Sequence, residues 1–289
     1  MEKTTLTTKP SKDYELLDSG REEKLERYGD FVLARPDPQA LWEKKLPPNA
    51  WDEAHGRYIR SGKEGEWRMK PIVPKEWGIS FGGFEFTIKP TSFKHTGLFP
   101  EQEANWEWIK ERITEAKRPV SVLNLFGYTG GATLAAAAAG ATVAHIDASK
   151  TAVSWARENA QRSGLAEKPI RWIVEDVLLF VRREIKRGSR YDLIIMDPPA
   201  FGHGPSDELW KIEEDLLELI KLCGELLSEK PLGIQMSGYA AGYSPLAFAY
   251  NLEQFAEKHG GVVECGDLTI EEKGSGRLLP CGIFARWRT

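Results

Sequence analysis

The pattern of apolar and polar positions changes near residue 96 of this 289-residue chain. Beyond that point, short apolar runs typical of buried parallel strands alternate with stretches that carry apolar residues at helical spacing. The predicted strands cover residues 120–125, 142–146, 170–174, 191–196, 232–236, 262–265 and 282–287. The predicted helices cover residues 101–117, 132–139, 150–163, a stretch ending near 187, 207–227 and 247–259. Repeated strand–helix units predict an α/β fold with a doubly wound, mostly parallel sheet.

The part of the chain before residue 96 has short β-like pieces among prolines, glycines and tryptophans. Because its first segment is polar, we predict a flexible N-terminus over residues 1–20, followed by a small β-rich domain over residues 21–95. Gly82-Gly83 lies between two aromatic runs and predicts a hairpin turn. The tryptophans of this region are expected to pack in the core and between domains: Trp42, Trp51, Trp67 and Trp77.

Composition limits the class of protein. The hydrophobic content is 41%, the charged content is 28% and the net charge is −4, which is ordinary for a globular protein and gives no overall attraction to nucleic acid. No apolar run approaches the ~20 residues that span a bilayer, and the first residues lack the apolar core of a secretory signal. The 3 cysteines show no zinc spacing, so we predict a reduced, cytoplasmic setting and no metal site.

Two stretches of the chain carry a local excess of positive charge. One contains Arg57, Arg60, Lys63, Arg68, Lys70, Lys75, Lys89 and Lys94, and the other contains Arg182, Arg183, Lys186, Arg187 and Arg190. Each stretch, taken alone, is more typical of a solvated surface than of a nucleic-acid interface, and both interpretations stay open.

The turn after the fourth predicted strand carries the most informative chemistry. Asp197-Pro198-Pro199-Ala200-Phe201 follows a fully apolar run, and its prolines end the strand and fix the backbone. Ligands of open α/β sheets bind beyond the carboxyl ends of the strands. A carboxylate and two rigid carbonyls can accept hydrogen bonds from a flat, nitrogen-bearing substrate, on which the aromatic ring can stack. The alternative is a turn whose aspartate only caps a helix.

The turns after the first three predicted strands indicate a nucleoside ligand. The first strand ends in a glycine-rich loop, residues 124–131, where backbone N–H groups can approach a ligand closely. Asp147 ends the second strand and can bind both ribose hydroxyls, while Asp176 follows the third and can accept the adenine amino group. A single aspartate at such a turn most often caps a helix. Three of them, Asp147, Asp176 and Asp197, in register with a glycine-rich loop favour one ligand along the sheet edge.

Three segments together resemble class I S-adenosylmethionine-dependent methyltransferases, and more closely the bacterial branch related to the large-subunit ribosomal RNA base methyltransferases. The segments are HTGLFPEQ at 95–102, LNLFGYTGG at 123–131 and DPPAF at 197–201. The resemblance covers the chain from about residue 90 to its end and persists in RPDPQALW at 35–42. It implies a Rossmann-like methyltransferase domain over residues 96–289, S-adenosylmethionine as cofactor and ribosomal RNA as partner.

The resemblance also implies roles for individual residues. The loop with Gly97 and Phe99 would cover the methionine end of the cofactor, and the glycine-rich loop would form the floor of its site. The residues implied in cofactor binding are Gly97, Phe99, Gln102, Asn124, Phe126, Tyr128, Thr129, Gly130, Asp147, Ala148, Ser149, Asp176, Val177 and Asp197. The catalytic set implied at the substrate is Asp197, Pro198 and Phe201, with Phe201 or Tyr239 stacking on the target ring.

Two features depart from the pattern of these relatives. Members that methylate carbon 5 of cytosine carry a nucleophilic cysteine after the fourth or fifth strand, because carbon 5 reacts only after a thiolate adds to the ring. Here Cys223 falls in a predicted helix and Cys265 and Cys281 fall in late strands, so the expected target is a nitrogen of an RNA base. The RNA-binding module that relatives often carry in front has no counterpart, unless residues 21–95 replace it.

Three other functions remain alternatives. A methyltransferase acting on a protein or a small molecule agrees with the net acidity of the chain. A non-catalytic RNA-binding protein with a methyltransferase fold would keep the same residues, and only a turnover assay would distinguish it. A nicotinamide-dependent oxidoreductase needs GxGxxG directly after the first strand, whereas this loop has only Gly127, Gly130 and Gly131.

Overall fold

The structure is a computed structural model that describes residues 2–61, 64–92, 94–239 and 242–289. The chain divides into two compact units. The larger unit contains the residues up to Leu6, Ala104–Asp267 and Gly282–Thr289, and the smaller unit contains Thr7–Glu103 and Leu268–Cys281. The boundary predicted at residue 96 is therefore too early, since the chain up to Glu103 and a late segment both belong to the smaller unit.

The described strands are β1 (Glu2–Thr8), β2 (Tyr14–Gly20), β3 (Glu23–Tyr28), β4 (Phe31–Pro36), β5 (Gly56–Ser61), β6 (Glu64–Met69), β7 (Trp77–Phe81), β8 (Phe84–Ile88), β9 (Ser121–Leu125), β10 (Thr142–Asp147), β11 (Ile170–Val174), β12 (Leu193–Met196), β13 (Phe201–His203), β14 (Leu209–Lys211), β15 (Gly233–Tyr239), β16 (Val262–Glu271) and β17 (Leu278–Arg288). The described helices are α1 (Pro48–Asp52), α2 (Glu103–Ala116), α3 (Gly131–Ala138), α4 (Lys150–Arg162), α5 (Val177–Arg187), α6 (Ile212–Leu226) and α7 (Pro245–His259). None of these helices is long and apolar enough to cross a membrane.

The main sheet has eight strands in the order β1-β16-β17-β15-β12-β9-β10-β11. Strands β15, β12, β9, β10 and β11 run parallel, and β17 is antiparallel to β15. This arrangement confirms the predicted doubly wound, mostly parallel α/β fold. From β9 the chain first builds β10 and β11 on one side and then returns to build β12 on the other, so a topological switch point lies between β9 and β12.

The core of the larger unit forms because the predicted apolar runs are buried on both faces of the sheet. Leu123, Ile146 and Met196 are fully buried in three adjacent strands, and Phe180 of α5 packs in the same cluster. Burying each such side chain contributes about 1.5–3 kcal/mol. Helix α5 begins at the cap Asp176 and ends at Gly188, whose φ of 73° provides the left-handed C-cap.

The segment after the Asp-Pro-Pro turn differs from its prediction. The helix predicted over residues 207–227 begins only at Ile212, and a short antiparallel hairpin of β13 and β14 precedes it. The Asp215 carboxylate accepts the backbone N–H of Lys211 at 2.8 Å, which fixes the start of α6 there. The acidic residues before Ile212 resemble a first helical turn in sequence but lie in the hairpin and its turn.

The N-terminal prediction was wrong for residues 1–20, which contain β1 and β2 rather than a flexible tail. Strand β1 is an edge strand of the main sheet beside β16. It lies so close that a Cβ added to Gly266 would clash with the carbonyl of Thr4. Strand β2 buries Tyr14 and Leu16 completely, so this segment is ordered although polar residues surround these two positions in the sequence.

The smaller unit confirms the predicted β-rich N-terminal region. It contains a five-stranded sheet in the order β2-β3-β4-β5-β6 and the β7–β8 hairpin. The predicted turn at Gly82-Gly83 joins β7 to β8, and both glycines have positive φ, 58° and 86°. The Trp51 indole N–H donates to Asp18 and that of Trp77 donates to the carbonyl of Tyr28, which agrees with the predicted role of these side chains in packing.

Candidate active site at the carboxyl edge of the main sheet

The register of the parallel strands places the predicted residues of the larger unit along one edge. Met196 of β12 lies between Leu125 of β9 and Met236 of β15. The next residue, Asp197, therefore follows the strand end beside the glycine-rich loop on one side and Ser237 on the other. This position is at the switch point, where ligands of doubly wound sheets bind.

The glycine-rich loop between β9 and α3 has an unusual backbone. Phe126 and Tyr128 have φ of 57° and 46°, and Gly130 has φ of 93°. Two non-glycine residues in the left-handed region within three positions cost roughly 1–3 kcal/mol each, and such conformations concentrate at functional sites. The loop is held to β10, because the backbone N–H of Tyr128 donates to Oδ2 of Asp147 at 2.8 Å.

Asp147 keeps acceptor capacity for a ligand. Its Oδ1 accepts the backbone N–H of Ser149 at 2.8 Å, so each carboxylate oxygen has one backbone donor and at least one further lone pair. Burial raises the pKa of Asp147, while the two backbone hydrogen bonds oppose that rise. Asp147 does not cap α4, because Ser149 caps that helix by accepting the N–H of Ala152 at 3.2 Å.

Asp176 serves as a helix cap, which is the alternative role considered from the sequence. Its Oδ1 accepts the N–H of Leu179 at 2.9 Å, and this leaves Oδ2 for a ligand. The neighbouring Val177 is 3% exposed and packs in the core, so only its backbone can face a ligand. Ala148, which follows Asp147 directly after β10, is half-buried.

A buried polar group lies beneath the loop, and sequence reasoning identified only one of its members. The Asn124 amide donates to the hydroxyl of Thr133 at 2.8 Å, and that hydroxyl is 2.9 Å from Nδ1 of His145. Burial lowers the pKa of His145 to about 3, so the ring is neutral. The Asn124 side chain is 3% exposed and supports the loop from below, and its role in cofactor binding stays a prediction from the resemblance.

Thr129 is also buried, and its carbonyl accepts the Asn159 side-chain N–H at 2.9 Å, which joins the loop to α4. Three further predicted contacts belong to the smaller unit. Gly97 is buried with φ of 93°, Phe99 lies 5.2 Å from the His95 ring, and Gln102 donates its backbone N–H to the carbonyl of Phe99. Their role in cofactor binding stays a prediction from the resemblance.

Asp197 is the half-buried carboxylate at the end of β12. The Ser237 hydroxyl donates a hydrogen bond to it. Burial raises the pKa of Asp197 to about 6, and the hydrogen bond from Ser237 opposes that rise. Asp197 caps no helix, because the chain continues into β13 and α6 starts only at Ile212. The helix-cap alternative is therefore wrong for this aspartate.

The two prolines after Asp197 differ in the use of their carbonyls. The Pro199 carbonyl accepts the indole N–H of Trp210 at 2.7 Å, and the Trp210 ring packs 4.9 Å from that of Phe126. The Pro198 carbonyl has no hydrogen-bond partner within the described part of the chain. Trp210 was missed in the sequence because it was assigned to a helix, and Ser237 because only strand register places it beside Asp197.

The hairpin after the prolines presents an aromatic ring to solvent. Phe201 is 55% exposed, and Tyr239 at the end of β15 is 45% exposed. Phe201 lies on the hairpin face opposite Trp210, because Trp210 pairs with Gly202. These two exposed aromatic rings, one at the start of β13 and one at the end of β15, can stack on a flat substrate.

All three cysteines are buried thiols that take part in no disulfide: Cys223 in α6, Cys265 in β16 and Cys281 in β17. Burial raises the pKa of each thiol.

The cations of the second basic stretch, residues 182–190, are largely paired, with Arg182 bonded to Glu218 at 2.6 Å and Arg187 to Glu184 at 2.8 Å. In the first stretch, Lys63 lies outside the described residues.

The fold and this edge define a doubly wound protein of the nucleoside-binding class, with a glycine-rich loop, a ribose-compatible carboxylate and a rigid Asp-Pro-Pro turn at the switch point. The profile of the S-adenosylmethionine-dependent methyltransferase family matches residues 45–231. The chain belongs to this family, and S-adenosylmethionine is its cofactor. The remaining lone pairs of the Asp147 carboxylate and the half-buried loop at residues 126–128 fit the adenosine part of that cofactor.

Two solved structures are similar over nearly the whole chain. A methyltransferase from Agrobacterium tumefaciens is 43% identical with a TM-score of 0.94, covering 99% of this chain and 93% of that protein. A methyltransferase from Streptococcus mutans is 21% identical with a TM-score of 0.71, covering 96% and 76%, and supports the fold alone.

The curated relatives are longer proteins. The ribosomal RNA large subunit methyltransferase K/L of Pseudoalteromonas atlantica is 28% identical over 86% of this chain. The alignment spans 35% of that relative, so this chain matches about a third of its length.

Proposed function

We propose that this protein methylates a nitrogen of an RNA base, with large-subunit ribosomal RNA as the expected substrate, and that no cysteine takes part. The names of the curated relatives support RNA as the substrate class. The observation that carries the choice of atom is Asp197, a half-buried acceptor followed by a rigid turn and an exposed aromatic ring.

The acceptors at this turn match the hydrogens of a base nitrogen. The Asp197 carboxylate and the Pro198 carbonyl are both acceptors, and two acceptors on adjacent residues suit an amino group with two N–H donors. The prolines fix the direction of these acceptors, while Phe201 or Tyr239 offers a face for the ring. Such positioning lowers the barrier because the nucleophile is held in line before the reaction.

S-adenosylmethionine supplies an activated methyl group, so the chain's own residues need to position the target rather than activate it strongly. With the cofactor bound, its methyl group would pass to the base nitrogen as the bond from the methyl carbon to the sulfonium sulfur breaks. The nitrogen then loses its proton to Asp197 or to water. The pKa of Asp197, raised to about 6, keeps the carboxylate ionised at neutral pH and makes it a better base than an exposed aspartate.

For the cofactor, we propose that Asp147 holds the ribose and the free oxygen of Asp176 accepts the adenine amino group. The loop from Phe126 to Gly130 would contact the ligand through its backbone. The three buried cysteines support chemistry without a thiolate nucleophile, because burial raises the pKa of each thiol.

The test is transfer of a labelled methyl group from S-adenosylmethionine to purified RNA, with protein and small-molecule fractions in parallel. We expect the wild-type protein to label RNA. The label should disappear with Asp197→Ala and persist with Asp207→Asn. Asp207 is a suitable control because it is an exposed aspartate of the neighbouring hairpin turn. Label in RNA at wild-type rate with Asp197→Ala would exclude the proposed role of this residue.

A second candidate is methylation of a cationic protein or small molecule. The hairpin turn and the first turn of α6 carry Asp207, Glu208, Glu213, Glu214 and Asp215 close in sequence to the Asp-Pro-Pro turn. These charges would repel RNA phosphates and attract a basic substrate. Label confined to the protein or small-molecule fraction would favour this function over RNA methylation.

A further inference from the structure

One buried side chain contacts both the glycine-rich loop and the Asp-Pro-Pro turn. Trp210 of β14 is 4% exposed. Its ring lies 4.9 Å from that of Phe126, and its indole N–H donates to the Pro199 carbonyl at 2.7 Å. Phe126 follows β9 and Pro199 follows β12, so Trp210 connects the segments that leave two neighbouring parallel strands.

The Asp-Pro-Pro turn depends on such a contact because its prolines cannot donate backbone hydrogen bonds. A proline ring fixes φ and removes the N–H, so ψ is set by what the carbonyl contacts. The Trp210 indole bonds the Pro199 carbonyl, and the backbone N–H of Ile212 donates to the next carbonyl, that of Ala200, at 3.1 Å. The bond from Trp210 therefore helps to fix the direction in which the chain leaves the prolines.

The other contact of Trp210 reaches a loop with a constrained backbone. Phe126 has φ of 57°, and its ring packs against the core cluster that contains Trp210. A non-glycine residue in the left-handed region persists only where its surroundings hold it. Trp210 pairs with Gly202 on the hairpin face opposite Phe201, so its ring is directed inward while that of Phe201 stays exposed.

We propose that Trp210 is a positioning residue that sets the Asp-Pro-Pro turn at a fixed distance from the glycine-rich loop. This inference rests on the proposed function, since it takes the turn as the place that holds the target nitrogen. Methyl transfer needs the nucleophile and the methyl carbon in line, and a misplacement of about 1 Å can lower a rate roughly 10²-fold. A single side chain in contact with both segments keeps the cofactor side and the substrate side of the site aligned.

Two substitutions of Trp210 separate its contacts. Trp210→Phe keeps a ring beside Phe126 and removes the donor to Pro199, so cofactor affinity should stay within about twofold of wild type while kcat falls about 10–100-fold. Trp210→Leu removes the ring as well, so cofactor binding should also weaken about two- to tenfold. Calorimetric titration with S-adenosylmethionine and transfer of labelled methyl to RNA measure the two effects.

Trp287→Phe is the matched control. Trp287 is a fully buried tryptophan of β17 whose indole donates to the Gly260 carbonyl at 2.9 Å, so this substitution removes the same kind of hydrogen bond. Trp287 pairs with Ile234 near the start of β15, whereas the Asp-Pro-Pro turn lies at the carboxyl edge of the sheet. We expect Trp287→Phe to keep the wild-type kcat and cofactor affinity.

Amide hydrogen exchange gives a readout that does not depend on the substrate. In the wild type, saturating S-adenosylmethionine should slow exchange in the glycine-rich loop and in residues 200–203, which follow the prolines. With Trp210→Phe the protection should persist in the loop and be lost in residues 200–203. With Trp287→Phe both segments should be protected as in the wild type.

Wild-type protection of residues 200–203 in Trp210→Phe, or a wild-type kcat in that variant, would overturn the inference. Absence of cofactor-dependent protection of these residues in the wild type would overturn it as well. Failure of the proposed function has a different signature, because methyl label would then be absent from RNA while the exchange results stay as predicted.

Discussion

At the residue scale, the central feature is the Asp197 carboxylate, whose pKa is raised by burial. Burial raises the pKa of Asp197 to about 6, so the side chain is a charged acceptor above that pH and a neutral acid below it. We predict that kcat/KM for RNA methylation falls as the pH drops through about 6. Asp197→Asn should remove this titration and lower the rate about 10²–10⁴-fold. A wild-type pH profile in Asp197→Asn would assign the titration to another group.

The same pKa predicts an effect on stability with a definite sign. The folded-state pKa of Asp197 lies above the unfolded value of 3.8, so the ionised side chain disfavours folding above about pH 6, and this penalty fades as the pH falls toward 4. Asp197→Asn keeps the acceptor for Ser237 and should raise the free energy of unfolding near pH 8 by at most about 3 kcal/mol. Denaturant unfolding near pH 8 and below pH 4 checks this, and a less stable variant near pH 8 would contradict it.

The site residues divided into those the sequence could place and those it could not. Asp147 and Asp197 were placed correctly at strand ends, because each follows an apolar run that forms a parallel strand. The alternation of side chains along β9 decides which face of the sheet Asn124 lies on. The sequence alone did not show that its amide would donate a hydrogen bond to the Thr133 hydroxyl. Ser237 became visible only through the register between β12 and β15.

At the scale of elements, the loop between β9 and α3 depends on a close approach to the strand beside it. A Cβ added to Gly127 would clash with the His145 imidazole. We predict that Gly127→Ala weakens S-adenosylmethionine binding at least tenfold, because the loop would be pushed from its position, and that His145→Ala in the same chain restores part of the loss. Calorimetric titration with the cofactor measures both.

Gly274→Ala is the matched control for this pair, since Gly274 has open space around its Cβ position. Its cofactor affinity should equal that of the wild type. An unchanged affinity in Gly127→Ala would show that the close approach to His145 does not hold the loop.

The elements themselves were largely predictable where long periodic or apolar runs occur. Helix α2 was predicted over 101–117 and spans Glu103–Ala116, and β9 was predicted one residue longer than it is. The β13–β14 hairpin was not predicted, because its strands have 3 residues each and its acidic turn resembles the start of a helix. Short strands gain their stability from tertiary contacts such as the burial of Trp210, which no local pattern reports.

At the scale of the whole molecule, the first residues complete the main sheet. Strand β1 covers the edge of β16, and Thr4 approaches Gly266 closely. We predict that deletion of residues 2–8 lowers the melting temperature by several degrees, because the edge hydrogen bonds of β16 are lost. Thermal unfolding of the deletion and of Lys3→Ala, an exposed side chain on the same strand, checks this. Equal melting temperatures for the deletion and the wild type would contradict a structural role for β1.

The division of the chain into two units was only partly predictable, because the smaller unit combines segments that are far apart in the sequence. The segment Leu268–Cys281 belongs to the smaller unit although it follows the whole α/β part of the chain. Composition identifies the β-rich region near the N-terminus, but the return of a distant segment depends on contacts that sequence patterns do not show. The uneven charge is in contrast readable from the sequence alone, because residues 54–99 contain 8 lysines and arginines and 4 acidic residues in a chain of net charge −4.

The most direct measurement is mass spectrometry of nucleosides from large-subunit ribosomal RNA incubated with the protein and S-adenosylmethionine carrying a deuterated methyl group. We predict the heavy methyl on a base nitrogen with the wild-type protein, and its loss with Asp197→Asn while cofactor binding persists. A heavy methyl on carbon 5 of a pyrimidine, or its absence from RNA together with incorporation into protein, would contradict the proposed function.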